Sequence, residues 1–239
     1  MAKGLVTPKG GWRPLLRAAL ESFRTAGVGS ERLWTDVEQQ ARAVRRASQL
    51  LELVVTWNAR VDLTAARSPE ELVDLYLADA FLLAIHADEP CGVNAPVWLD
   101  VGSGAGAPGL VFGVLRPDWA LILVEPRAKR IAFLRSAVGH LGLDSVQVRE
   151  GRSDAMAAAC CDVAISRATF PPPEWLAEGA RLSRGSVWVL LAKSDLPSLS
   201  EWSVRRQIDY AWPLSGVARR AVEFVRNQPR KPEEPSPAD

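Results

Sequence analysis

The sequence has few of the residues on which disulfide frameworks, metal sites and acid–base catalysis commonly depend. It contains three cysteines and two histidines, and it has no apolar run of about 18 residues, the length that a membrane span needs. Cys91, Cys160 and Cys161 have neither metal-ligand nor disulfide-framework spacing, which favours a reducing compartment. Arginines are scattered through the N-terminus, unlike in a signal peptide. We therefore expect a cytoplasmic protein with no metal and no membrane partner.

The chain also lacks an excess of charge of either sign. Lys and Arg number 29 and Asp and Glu 28, a net charge of +1. A nucleic-acid surface, if the protein has one, must therefore be a local patch. With 239 residues, of which 48% are hydrophobic, the chain is long enough for a large core. We expect a monomer.

Helical apolar spacing dominates the first third of the chain. We predict a flexible arm over 1–12 and a helical extension over 13–95. One helix is predicted to start at a capping box of Thr35 and Glu38, with Val37 opening its buried stripe. Its arginines 42, 45 and 46 form either a solvated face or a contact to an RNA backbone. Another helix should start at Ser68, with Pro69 in its first position.

From Val97 onward, strand-like and helix-like runs alternate. Near-continuous apolar strands are typical of a mostly parallel sheet covered by helices on both faces. This predicts a Rossmann-like α/β domain over 96–227, followed by a disordered tail over 228–239 that is rich in Pro and Glu. The predicted strands are 97–101, 119–125, 146–148, 161–165 and 186–192, with 208–212 and 221–225 as candidates for a closing hairpin.

A glycine-rich turn between the first strand and its helix is the main functional signal. Gly104-Ala-Gly106-Ala-Pro-Gly109 fits the dinucleotide pattern G-x-G-x-x-G. In another register, Asp100-x-Gly102-x-Gly104-x-Gly106 resembles the loop of class I S-adenosylmethionine (SAM) methyltransferases. A purely structural turn is the third interpretation. The flanking residues favour the SAM interpretation. A nicotinamide cofactor would require hydride transfer, for which no acid–base pair is evident.

Ligands of open parallel sheets bind beyond the carboxyl ends of the strands. Four polar residues fall at that edge: Asp100, Glu125, Asp154 and Arg167. Glu125 is placed to accept hydrogen bonds from both ribose hydroxyls, and Asp154 could meet the adenine amine. The structural alternatives are a surface acid for Glu125, a short-helix cap for Asp154 and a solvated side chain for Arg167.

Together, these motifs resemble the bacterial 16S rRNA (guanine-N7) methyltransferase G family, also called glucose-inhibited division protein B. The resemblance runs from about Trp57 to Lys193. It is carried by Trp57-Asn58, Asp62-Leu63-Thr64, the glycine loop with its Pro108-Gly109 ending, Lys129-Arg130, Phe133-Leu134-Arg135, Arg152-Ser153-Asp154, Ser166-Arg167-Ala168 and Ala192-Lys193.

The resemblance implies a class I methyltransferase fold and an enzyme that transfers a methyl group from SAM to N7 of a guanine in 16S rRNA of the small subunit. Guanine N7 has a lone pair and no proton, so orientation without a general base is expected to suffice. RNA contacts are implied for Lys129, Arg130 and Lys193. The predicted cofactor residues are Asp100, Gly102, Ser103, Gly104, Gly106, Ala107, Glu125, Ser153, Asp154 and Arg167.

The chain departs from the family pattern mainly where RNA is expected. Leu75-Tyr76 replaces a usual Arg-His pair, Asp62 replaces Asn, and Ser194 replaces Gly. Asp79 of the family pattern is retained. These departures leave two rival hypotheses open: a methyltransferase for another RNA or a small molecule, and a catalytically silent SAM- or RNA-binding paralogue.

Overall fold

The computed structural model describes residues 5–26, 33–34, 36–87, 96–192 and 195–227. Six α-helices and seven strands follow one another within these ranges. Three helices precede the sheet: α1 (Arg13–Thr25), α2 (Val37–Asn58) and α3 (Pro69–His86). The remaining elements are β1 (Val97–Val101), α4 (Gly109–Leu115), β2 (Ala120–Glu125), α5 (Ala128–Leu141), β3 (Val146–Glu150), β4 (Cys161–Ser166), α6 (Pro172–Leu182), β5 (Ser183–Leu191), β6 (Trp202–Ala211) and β7 (Ala218–Arg226).

The strands form one sheet in the order β3-β2-β1-β4-β5-β7-β6. Strands β1 to β5 pair in parallel, and β7 pairs antiparallel with both β5 and β6. Because the order reverses between β1 and β4, the carboxyl ends of these two strands flank the crevice where such sheets bind ligands. The predicted mostly parallel sheet is confirmed.

Alternate residues of the central strands enter two separate cores, which explains their continuous apolar sequences. Trp98 of β1 packs with helices α1 to α5, whereas its neighbours Leu99 and Val101 pack with α6. The sheet is therefore covered on both faces, as predicted.

The N-terminal helices pack into the first of these cores. Phe23 of α1 stacks on Phe81 of α3 with ring centroids 4.7 Å apart, and α3 contacts α4. Helix α3 is buried along most of its length. It packs between α1 and α4, whereas α2 packs directly on α4 and α5. The predicted domain boundary after residue 95, the start of the arm and the tail over 228–239 lie outside the described residues and stay predictions.

The two predicted helix starts had different outcomes. Ser68 caps α3 by accepting the Glu71 N–H at 3.1 Å, as expected. The prediction for α2 was wrong, because Asp36 is the capping residue and accepts the Gln39 N–H at 2.7 Å. The helix starts one residue after this carboxylate, which leaves Val37 81% exposed.

The predicted closing hairpin is confirmed and is longer than its apolar pattern suggested. A register shift between Val204 and Arg206 interrupts the pairing of β6 with β7. This bulge lies in the first half of β6, ahead of the segment 208–212 that the sequence predicted.

Candidate functional site

The loop between β1 and α4 is held by hydrogen bonds to the neighbouring strand β2. The backbone N–H groups of Gly102 and Ser103 both donate to the Val124 carbonyl, at 2.9 and 3.1 Å. Gly102, Gly104 and Gly106 all have positive φ, between 58° and 82°. At Gly102 a Cβ atom would lie 2.3 Å from Thr169 Oγ1. The loop therefore requires glycine for both its conformation and its close packing.

Glu125, at the end of β2, faces this loop as predicted from the sequence. One carboxylate oxygen accepts the Gly104 N–H at 2.9 Å, and the other accepts the Arg127 N–H at 3.0 Å. The residue is 2% exposed. Since each carboxylate oxygen has two lone pairs, both retain acceptor capacity for a ligand. Its predicted contact with ribose hydroxyls stays a prediction.

Asp100, at the end of β1, is a buried acid with incomplete hydrogen bonding. It is 1% exposed, and its Oδ2 atom has no hydrogen-bond partner among the described residues. Burial raises the pKa of Asp100 to about 7, and the Arg167 guanidinium partly opposes this shift. An acid of this kind is partly protonated near neutral pH and responds strongly to a nearby positive charge.

A cavity of about 370 Å³ opens beside the loop. It has an apolar part, made by Val101, Val124 and Phe170, and an acidic part that includes Asp154. Gly102 and Ser153 also line it, so the cavity unites three separate sequence motifs. Asp154 is exposed and lies in the 3₁₀ turn Ser153–Ala155. A planar, apolar group with a polar edge, such as adenine, matches this lining.

Arg167, at the end of β4, is directed towards α3. Its guanidinium donates to the Leu75 carbonyl at 2.6 Å and to Asp79 at 3.1 Å. Asp79 is 2% exposed and accepts two further hydrogen bonds, from the Tyr210 hydroxyl at 2.7 Å and from Trp212 Nε1 at 3.3 Å. Arg167 therefore links the sheet edge to α3 and to the hairpin.

The Leu75-Tyr76 pair lies at the same place. The Tyr76 hydroxyl donates to the Ala105 carbonyl at 2.7 Å, and burial raises the pKa of Tyr76 well above its usual range. The hydroxyl therefore stays protonated and ties the glycine loop to α3. The remaining predicted loop residues, Gly106 and Ala107, continue from this contact to the start of α4.

The predicted RNA contacts are only partly described. Lys129 and Arg130 lie in the first turn of α5, and Arg130 Nη1 is 3.6 Å from the position of a Cβ on Gly104. Lys193 lies outside the described residues. Further away, Arg13, Arg17, Arg24 and Arg45 surround a groove of about 400 Å³ between α1 and α2.

Several residues of this site were missed by the sequence analysis. Phe170, Glu174 and Glu178 line the cavity, and Trp212 reaches Asp79 from the hairpin. They come from segments in which the sequence shows no motif.

Within the described ranges, no cluster of three potential metal-ligating side chains occurs. None of the helices that the structure describes has the length and apolarity of a membrane span.

Both histidines lie in the last turns of helices. His140 is in the last turn of α5, about 20 Å of helix from its start at the sheet edge. His86 is the last residue of α3, and its carbonyl accepts from Arg206 of β6 at 2.8 Å.

Comparisons with known proteins agree with this geometry. Residues 43–219 match the family model described as "rRNA small subunit methyltransferase G". A relative named "Ribosomal RNA small subunit methyltransferase G" from Halorhodospira halophila is 39% identical, over 56% of this chain and 62% of its own length. Another of that name from Nitrosomonas europaea is 30% identical, over 77% of this chain and 87% of its own length.

Among solved structures, that of a point mutant of MtNAS superposes with a TM-score of 0.52 at 14% identity, covering 91% of this chain and 98% of that chain. This likeness bears on the fold alone. The family match covers most of the chain, including the glycine loop and the ends of β2 and β4. The chain belongs to the rRNA small subunit methyltransferase G family.

Proposed function

We propose that this protein is a SAM-dependent methyltransferase that modifies N7 of a guanine in 16S rRNA, acting in the cytoplasm as a monomer. The observation that carries the proposal is the positive-φ glycine loop, which opens at Gly102 on a cavity at the crevice of the sheet. The family membership and the names of the relatives support the rRNA substrate.

The residues at the crevice fit the parts of SAM. Glu125 retains acceptor capacity for two ribose hydroxyls, and the apolar walls with Asp154 suit adenine. We assign the methionine part to the cavity side of Gly102, where the buried acid Asp100 at the end of β1 complements positive charge. SAM, when bound, supplies a methyl group on a sulfonium sulfur, and the neutral thioether that departs is a good leaving group.

The site's contribution to the reaction is orientation. The N7 lone pair forms the new bond to the methyl carbon while the carbon–sulfur bond breaks, and its electron pair stays on sulfur. No proton moves, so the step needs no general base. Alignment of this kind contributes up to about 7–11 kcal/mol. The contacts of Tyr76 with the loop and of Arg167 with α3 fix the walls between which the two reactants must meet.

The proposal is tested in two steps with the full chain. Calorimetry should show SAM binding at micromolar concentration. Labelled SAM should then transfer its methyl group to undermethylated 30S subunits, and borohydride–aniline cleavage of the RNA should locate the product at N7 of a guanine. Absence of SAM binding would refute the enzyme class. Binding without transfer to 30S subunits would refute the rRNA substrate and support a silent paralogue or another substrate.

A further inference from the structure

A groove of about 400 Å³ runs between α1 and α2, and we call it the α1–α2 groove. Four arginines line it: Arg13, Arg17 and Arg24 of α1 and Arg45 of α2. All four are exposed. The three arginines of α1 are spaced four and seven positions apart, so they follow one side of the helix over about 16 Å. The groove is therefore an extended basic surface.

The positive charge of this groove is only partly compensated. Among the described residues that line it, Glu21 is the one acid. Arg24 Nε donates to the Glu21 carboxylate at 2.9 Å, and this hydrogen bond lowers the pKa of Glu21. The pair is therefore neutral as a whole. Arg13, Arg17 and Arg45 remain, which is a larger excess than the net charge of +1 on the whole chain.

These three arginines are not used by the fold. Arg13, Arg17 and Arg45 have no ion pair and no side-chain hydrogen bond within the ranges that the structure describes. An arginine that joins elements of this fold does have such a partner, since Arg167 lies 3.1 Å from the Asp79 carboxylate. The three guanidinium groups of the groove are therefore open to an external partner.

The walls of the groove are fixed by the core beneath them. Leu20 and Val44 line the groove and are buried. Trp12, just ahead of α1, is also buried and donates through Nε1 to Glu52 of α2 at 3.0 Å. Because the apolar side of α1 packs in the core, it is not available for insertion into a membrane surface. The groove therefore presents charged groups on a fixed framework.

The Arg45 end of the groove is remote from the cofactor crevice. Helix α5 begins beside Glu125, since the Arg127 N–H donates to that carboxylate, and its 14 residues extend about 20 Å. At the far end of α5, Arg46 Nη2 lies 4.0 Å from the position of a Cβ on Gly142. Arg45 adjoins Arg46, so it lies about 20 Å from the crevice. A ligand of the size of SAM cannot occupy both places, whereas a polymer can contact both.

The chemistry of the groove suits the phosphates of a nucleic acid. A guanidinium is always charged, and its planar set of N–H donors matches two oxygens of one phosphate. Such contacts supply affinity and fix the orientation of the nucleic acid without reading its bases. The proposed rRNA substrate is a polymer of this kind, which favours RNA over an acidic protein as the occupant.

We propose that the α1–α2 groove binds phosphates of the substrate RNA about 20 Å from the nucleotide that is methylated. The inference rests on the proposed function for the identity of this RNA, to which it adds a second contact. The groove supplies affinity and orientation, whereas the crevice supplies the chemistry.

Two triple variants of the full chain separate the effect of charge from that of packing. The first combines Arg13→Gln, Arg17→Gln and Arg45→Gln and removes three charges. The second combines Arg13→Lys, Arg17→Lys and Arg45→Lys and keeps them, so it is the matched control. Because the three side chains are exposed, both variants should unfold like the wild type, and both should bind SAM with unchanged affinity.

For each protein we would measure the affinity for free undermethylated 16S rRNA and for 30S subunits at several salt concentrations, together with the kinetics of methyl transfer to 30S subunits. The glutamine variant should bind both at least about tenfold more weakly at about 0.1 M salt, and its slope of log affinity against log salt should be smaller by about two to three. The lysine variant should keep the wild-type slope. In the glutamine variant KM for 30S subunits should rise, while kcat stays within about twofold of the wild type.

An unchanged slope in the glutamine variant would overturn the assignment and leave the proposed function intact. An equal loss of affinity in the lysine variant would also overturn it, because the arginines would then not act through their charge. If the glutamine variant loses affinity for 30S subunits but not for free 16S rRNA, the groove contacts a ribosomal protein and the assignment to RNA is wrong. Loss of RNA affinity in the glutamine variant, combined with no methyl transfer by the wild type, would refute the proposed function and leave the groove as an RNA site.

Discussion

Replacing Asp100 by asparagine should remove a pH-dependent loss of stability from the free protein. The acid lies at the end of β1, is 1% exposed, and has a pKa raised from 3.8 to about 7 because burial disfavours its charged form. Between these two values the folded state holds a proton that the unfolded state has released. Stability therefore falls as the pH rises from about 4 to about 7 and is flat above that.

The size of the effect follows from the two pKa values. From about pH 5.5 to about pH 8, Asp100 alone should lower the free energy of unfolding by about 2 kcal/mol. For a chain of this length, that corresponds to a fall in Tm of about 4–8 °C. Because an asparagine side chain does not titrate, the Asp100→Asn variant should lack this part of the pH dependence.

The assay is thermal unfolding of both proteins over that pH range, without ligand. Groups that are common to both proteins contribute equally to both curves, so the difference between the two curves isolates Asp100. The variant should be more stable than the wild type above about pH 7, and the gap should narrow as the pH falls. Parallel curves at all pH values would show that Asp100 does not titrate in this range and refute the reasoning.

Two further predictions concern ligand binding. Gly102→Ala should weaken SAM binding at least about tenfold, because its Cβ would lie 2.3 Å from Thr169 Oγ1 at a φ of +70°. Calorimetry should show no change for Gly139→Ala, whose Cβ would meet nothing within 4 Å, and equal affinities of the two variants would contradict the prediction. Changing Arg13, Arg17 and Arg45 together to glutamine should reduce the slope of log affinity against log salt for 30S RNA by about two to three. An unchanged slope would leave the groove between α1 and α2 as a solvated surface.

The sequence predicted the central part of the fold because the relevant interactions are local. A buried parallel strand must be apolar on both faces, and the turn after β1 must contain glycine wherever φ is positive. These requirements restrict the residue types in each strand and in the turn after β1, so the sequence pattern identifies them. The start of α2 could not be predicted in the same way, because Thr35 and Asp36 are both good caps and the choice depends on small differences in backbone geometry.

The hydrogen bonds around Asp79 illustrate what the sequence could not show. Asp79 is joined to Tyr210 and Trp212 across more than 130 positions of sequence and to Arg167 across 88. Asp79 and Arg167 each stand out in the sequence, but no periodicity or spacing relates them to the hairpin. Only the folded chain shows that this buried acid joins α3, β4 and β6.

Helix α3 therefore joins the glycine loop, the end of β4 and the turn of the hairpin. Tyr76 holds the glycine loop, Asp79 holds Arg167, and Asp74 holds the turn of the hairpin. These contacts give both buried acids of α3, Asp74 and Asp79, hydrogen-bond partners, so the helix can be buried along most of its length. The replacement of an expected Arg-His pair by Leu75 and Tyr76 fits the same scheme. Tyr76 retains a donor for the loop, whereas Leu75 replaces a cation with an apolar side chain, so this change should weaken contacts with RNA more than contacts with SAM.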